Sequence, residues 1–258
     1  MTGTADTRVS PLEALAGASG VAFPQLLAAR EATGVELAAR RRALRDVPVD
    51  AGVAVVLMGS WGRGEVTSGS DDDVLVVTTG APGPGVRPAL EDLRGVVGGA
   101  TGSQGIFNTT VGVDDLCRFG LADDDNANTT RRLLLLLESA PLLGAPAYER
   151  ALRTILRSYL AGDRRDRRPP RFLLNDVIRY WRTITVDFEG KLRSGGGQKW
   201  ALRVAKLRTS RTLLFAGGLL PVLECHHVVA DEVEDLLLDA FRLPVTDRVA
   251  AAFLAYDA

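Results

Sequence analysis

Two short apolar runs stand close together in the chain, VAVVLM at 53–58 and VLVVT at 74–78, separated by GSWGRGEVTSGSDDD at 59–73. Runs this short, rich in Val and bounded by Gly, predict buried strands, the second the neighbour of the first. The first run ends in Gly59-Ser60 and the second opens at Asp71-Asp72-Asp73, giving the pattern G-S-x10-D-x-D. A flexible backbone turn and two carboxylates are thereby set at the ends of two strands.

Alternate residues of a strand face the same side, so Asp71 and Asp73 point together while Asp72 points away. Like charges aimed at one place repel unless a cation sits between them. Hard oxygen ligands favour Mg²⁺ or Mn²⁺, and Mg²⁺ commonly shares its coordination with substrate phosphates. Gly59 lets backbone approach a phosphate, Ser60 offers a hydroxyl and an N–H, and Arg63 offers a charge-assisted contact. A bland alternative exists for each piece, because Asp runs form solvated turns and Gly-Ser is a common dipeptide. The spacing and the flanking strands favour the metal-nucleotide reading.

These residues resemble the nucleotidyltransferase superfamily of the DNA polymerase β type. GSWGRGEVTSGSDDD is similar to the Gly-Ser-x-x-Arg-Gly-(Glu) version in small bacterial members, including aminoglycoside nucleotidyltransferases and protein-modifying enzymes. The resemblance covers about 53–115, and more softly 175–219. It implies a small mixed sheet, metal ligation by Asp71 and Asp73, and nucleotide binding at Gly59, Ser60 and Arg63. NTP is the implied co-substrate, with ATP as the donor that similar small bacterial families use. Many such proteins carry a third carboxylate on a later strand. The third run, 105–113 (GIFNTTVGV), contains no acid. Asp114, just beyond it, is the catalytic candidate and equally a helix cap; Glu65 and Glu138 are poorer ones.

The second half reads differently. Helical patterns are expected at 131–139, 148–160, 171–192, 199–214, 231–238 and 247–254, after earlier ones at 23–45 and 88–97. The expected class is therefore α+β: a small mixed-sheet core (51–118), preceded by a tail and leading helix (1–50) and packed against a C-terminal helical bundle (119–258). Lys199, Arg203 and Lys206 share a face at i, i+4 and i+7 and are candidates for the NTP phosphates; a solvated basic stripe is the plain alternative. Asp176, Arg179, Tyr180 and Asp187 recur on one side of the preceding helix, as a cleft wall or as ordinary intrahelical pairs.

Thirty-one basic against 32 acidic side chains leave a net charge of -1, which argues against a polynucleotide substrate and suits a small-molecule or protein acceptor. Cys117 and Cys225 make neither a disulfide framework nor a zinc site. The N-terminal segment lacks a basic leader and the 133–137 Leu run is too short to span a bilayer, so a soluble cytoplasmic protein is expected. The functional expectation is NMP transfer to a hydroxyl with release of pyrophosphate. The alternative is a catalytically weak or inactive nucleotide-binding regulator of the same fold.

Overall fold

The computed structural model describes residues 9–80, 109–119, 124–163, 165–194 and 199–256. Four strands form one sheet in the order β3-β2-β1-β4: β1 (Val53–Met58), β2 (Val74–Thr78), β3 (Thr109–Gly112) and β4 (Ser139–Leu143). β1 is antiparallel to both β2 and β4, and β2 is parallel to β3. All residues of β1 and β2 are buried, so the central pair has a cover on each face. Val53, Val55 and Leu57 join Val74 and Val76 in a small cluster with Leu44, Trp61 and Leu142. Ala54, Val56 and Met58 join Leu75 and Val77 in the main core, which continues into the helices of the second half. Each fully buried Val or Leu there contributes about 1.5–3 kcal/mol of transfer free energy.

The small cluster is covered from the N-terminal side. α1 (Pro11–Ser19), which starts with a capping box between Ser10 and Glu13, packs instead on the helix of Val245–Tyr256, where Leu12 N–H donates to Asp247 at 3.0 Å. α2 (Pro24–Ala43) starts with Pro in its first turn and ends on Arg40, Arg41 and Arg42, cations suited to the negative end of its dipole. The other face is covered by α5 (Asp124–Leu137), α6 (Ala145–Leu160), α7 (Arg171–Ser194), α9 (Thr212–Glu224), α10 (Val233–Arg242) and α11 (Val245–Tyr256), with short α3 (Ser60–Arg63) and α4 (Val113–Leu116) at strand ends. α8 (Trp200–Lys206) runs through a π-helical turn, Leu207–Arg211, into α9. No described helix is long and apolar enough to cross a membrane.

Two expectations change. The helix expected at 131–139 begins earlier and stops at Leu137, because Ser139 enters β4. β4 lies inside the half expected to be all-helical, and it completes the sheet beside β1. Pro141 is tolerated because β4 is an edge strand, and its carbonyl accepts the Arg41 guanidinium from Nε at 2.9 Å and Nη2 at 2.6 Å. The helix expected at 88–97 and the start of the third strand at 105–108 lie outside the described residues.

A buried polar post ties the sheet end to the helices. Arg132, fully buried, donates to Tyr159 Oη (2.9 Å), the Leu116 carbonyl (2.7 Å), Thr129 Oγ1 (2.9 Å) and Asp176 Oδ2 (3.2 Å). Tyr159 also donates to Asp176, at 2.7 Å. Asp176 is thus the counter-charge of a buried arginine and does not line a cleft; Arg179 pairs with it from one turn on, at 2.9 Å.

Candidate functional site

The turn after β1 is shaped by glycine. Gly59 has φ 71° and ψ -124°, a region open to glycine and strained for other residues. Its N–H donates to the Glu138 carbonyl at 3.0 Å, and its carbonyl caps the single turn of α3 by accepting Arg63 N–H at 3.1 Å. A Cβ on Gly62 would overlap the Glu138 carbonyl, so the turn lies directly on the junction of α5 and β4. Asp72 faces the opposite side of the sheet. There it accepts from Trp61 Nε1 (2.9 Å) and pairs with Arg40 Nη1 (2.9 Å), whose guanidinium lies 4.1 Å over the Trp61 ring. This clamp holds α2 against the turn and leaves Asp71 and Asp73 for the other face.

Met58 N–H donates to the Asp73 carbonyl at 2.9 Å, which carries the β1–β2 ladder one residue ahead of the start of β2. Asp71 is exposed and Asp73 half-buried. Burial first, then the charges of Asp71 and Glu138, push the Asp73 carboxyl up to about 6, while Arg211 works in the other direction. An acid held this way is charged only at a cost, and a cation placed between it and Asp71 removes that cost.

Beneath this pair lies a fully buried carboxylate, Glu138. Arg63 Nη1 donates to it, Tyr180 Oη donates to it at 2.5 Å, and Arg211 Nη1 approaches both oxygens at 3.4 Å. Arg63 is itself buried and also donates to Glu65 at 2.9 Å. Burial acts to lower the Arg63 pKa, but Glu138 and Glu65 outweigh it and hold the guanidinium above its ordinary value. Burial, with Glu138 adding to it, drives the Tyr180 hydroxyl well above its own. Arg248 fixes the junction from behind, donating to the Leu137 carbonyl at 2.8 Å and the Phe241 carbonyl at 2.9 Å. Burial pushes Arg248 down to about 10.

The residues expected from the sequence divide accordingly. Gly59, Ser60, Asp71 and Asp73 meet at one end of the β1–β2 pair. Arg63 belongs to the same turn but points inward, with its donors committed to Glu65 and Glu138, so its expected role as a phosphate contact is corrected. Asp114 is corrected too. It follows β3, whose Gly112 pairs with Thr78 in a parallel ladder, so it lies at the far end of β2 from Asp73. The intervening strand is about 17 Å long at ~3.3 Å per residue. Lys199 is not helical, having φ 58° just before α8 begins, and Arg203 donates to the Lys191 carbonyl of the neighbouring helix. At ~1.5 Å of rise per residue, Lys206, Arg203 and Lys199 lie about 8, 12 and 18 Å further along the helix than Arg211.

Sequence reasoning missed Arg211 and undervalued Glu138. A signal for Glu138 was present, since an acid directly after five leucines ends a helix in the core. Arg211 carried no local signal. Among the described residues no three acidic, histidine or cysteine side chains converge as a metal cage. Two carboxylates with substrate phosphates remain a normal Mg²⁺ ligand set, so the donor chemistry of Asp71 and Asp73 fits such an ion. Comparisons of the chain with known protein families, with curated proteins and with solved structures find no match.

Proposed function

We propose that the chain is a metal-dependent nucleotidyltransferase, transferring NMP from an NTP, ATP in the simplest case, to an acceptor hydroxyl. The observation that carries this reading is the pairing of Asp71 with a half-buried Asp73 pushed up to about 6, beside a glycine turn and a part-exposed arginine. A bound Mg²⁺ or Mn²⁺ supplies charge neutralisation of the phosphate oxygens. Asp71 and Asp73 hold it. Gly59 leaves open backbone for the nucleotide's approach, and Ser60 offers its hydroxyl. Arg211, held to Glu138 only by long contacts, is the cation at hand for the triphosphate. The acceptor oxygen bonds to the α-phosphorus and the bond to the bridging oxygen breaks. Pyrophosphate leaves with that electron pair, and the hydroxyl proton passes to water on the open side at Asp71.

Pyrophosphate release from labelled NTP, with and without divalent metal, tests the reading. Asp71→Asn combined with Asp73→Asn should abolish metal-dependent release while the fold stays intact, and unchanged release would remove the assignment. One observation favours a second reading: Asp114 is at the wrong end of the sheet and Glu138 is already paired. A two-carboxylate protein that binds NTP without turnover would be a nucleotide-dependent regulator, and calorimetric binding with no pyrophosphate release identifies it.

A further inference from the structure

Resting on the transferase reading, the surroundings of Arg211 assign a role to Tyr180. Glu138 holds two short contacts, one on each oxygen: Arg63 Nη1 on Oε2, and Tyr180 Oη on Oε1 at 2.5 Å. Arg211 Nη1 stands 3.4 Å from both oxygens, outside the ~2.7–2.9 Å of a close guanidinium–carboxylate bond. Its side chain is 34% exposed, whereas that of Glu138 is fully buried. Arg211 is therefore a third donor to a carboxylate that already has a donor on each oxygen, and its charge still acts on Asp73.

The two helices that carry these residues fix the separation. Arg211 closes the π-helical turn Leu207–Arg211, where the Leu207 carbonyl accepts both the backbone N–H of Thr212 and, at 2.8 Å, its hydroxyl. Such a turn adds a residue to the helical circuit and so sets the direction in which Arg211 leaves the helix; single π turns recur at functional sites. On the facing helix Trp181 stacks on Phe215, with 5.2 Å between ring centroids, which ties α7 to α9 one turn beyond Arg211. Tyr180 is buried and shares a small apolar cleft with Leu137, Val177, Ile184 and Leu214. Among the described residues its hydroxyl makes one bond, to Glu138.

We propose that Tyr180 is a positioning residue: by occupying Glu138 Oε1 it keeps Arg211 from closing onto the buried carboxylate, and so holds that cation beside Asp71 and Asp73 for incoming phosphates. Without the hydroxyl, Oε1 is a buried acceptor that has lost its donor, a state costly enough to draw in the nearest one. That donor is Arg211, which needs to move only about 0.5–0.7 Å to reach ordinary bonding distance. The guanidinium then becomes a close counter-ion of Glu138 and is withdrawn from the carboxylate pair.

Tyr180→Phe tests this, because it keeps the ring in its apolar cleft and deletes only the oxygen. Arginine-selective labelling with phenylglyoxal, followed by mass spectrometry of the peptide containing Arg211, reads the availability of the guanidinium with no nucleotide present. The variant should label Arg211 roughly tenfold more slowly than wild type, with labelling of exposed Arg42 unchanged. Calorimetry with Mg²⁺·NTP supplies the second arm. Tyr180→Phe should raise Kd about tenfold, and should add nothing in an Arg211→Gln background, where the cation it positions is gone. Unchanged or faster labelling of Arg211 in Tyr180→Phe would overturn the proposal. So would equal fold-losses of NTP affinity with and without Arg211, because a merely structural tyrosine acts independently of that arginine. Absence of Mg²⁺·NTP binding by wild type defeats the transferase reading instead, and the labelling rates then decide the role of Tyr180 by themselves.

Discussion

Replacing Asp73 with Asn should make the metal-free protein more stable, although it removes a ligand. In the folded chain the Asp73 carboxyl sits at about 6, against 3.8 for the free group, because it is half-buried and faces Asp71 and Glu138. The favourable linkage to proton binding is complete below 3.8 and is lost as pH rises through about 6, so near neutral pH wild type carries the whole penalty. Two pH units at ~1.36 kcal/mol each give about 3 kcal/mol, and solvent screening at this part-exposed position reduces that to about 1–2 kcal/mol. For a chain of this size that is about 2–4 °C in Tm per kcal/mol. Thermal unfolding in EDTA should therefore place Asp73→Asn above wild type at about pH 7.5, with the gap closing near about pH 4. Added Mg²⁺ should raise wild type and leave the variant unmoved, since only a state that binds the ion is stabilised by it. A variant less stable than wild type in EDTA, or one that gains equally from Mg²⁺, would refute the electrostatic reading of the pair.

The supporting shell should respond differently. Glu138→Ala leaves Arg63 buried without its main partner and should cost about 3–5 kcal/mol in chemical denaturation. Asp176→Ala strips the buried Arg132 in the same way, so a similar loss is expected with the carboxylate pair untouched. Gly62→Ala forces a methyl into the Glu138 carbonyl and should cost at least about 1–3 kcal/mol, together with loss of metal-dependent turnover, because the turn must lift off β4.

The hairpin of β1, turn and β2 was legible because its signals are local: Val-rich runs, a glycine turn and an alternation that sorts Asp72 from Asp71 and Asp73. The orientation of β3 was not. Had that strand run antiparallel to β2, Asp114 would have stood beside Asp73; the parallel register carries it to the opposite end. β4 escaped because Pro141 argues against a strand unless the strand is known to lie at an edge. Glu138 and Arg211 joined the site through contacts across the fold. Arg63 and Glu138 are 75 residues apart, and Glu138 and Arg211 are 73 apart. Periodicity along one element carries no record of such pairings. The same limit applies to Lys199, Arg203 and Lys206: their spacing was readable, but the left-handed backbone at Lys199 and the Lys191 carbonyl that engages Arg203 were not.

The central claim is that Asp71 and Asp73 together hold a divalent ion, and a Mn²⁺ titration followed by electron paramagnetic resonance measures it without relying on turnover. Wild type, with NTP present, should deplete the free Mn²⁺ signal well beyond what NTP alone removes, and Asp71→Asn with Asp73→Asn should return it to the NTP-only level. Equal depletion by wild type and by the doubly substituted protein would contradict the account.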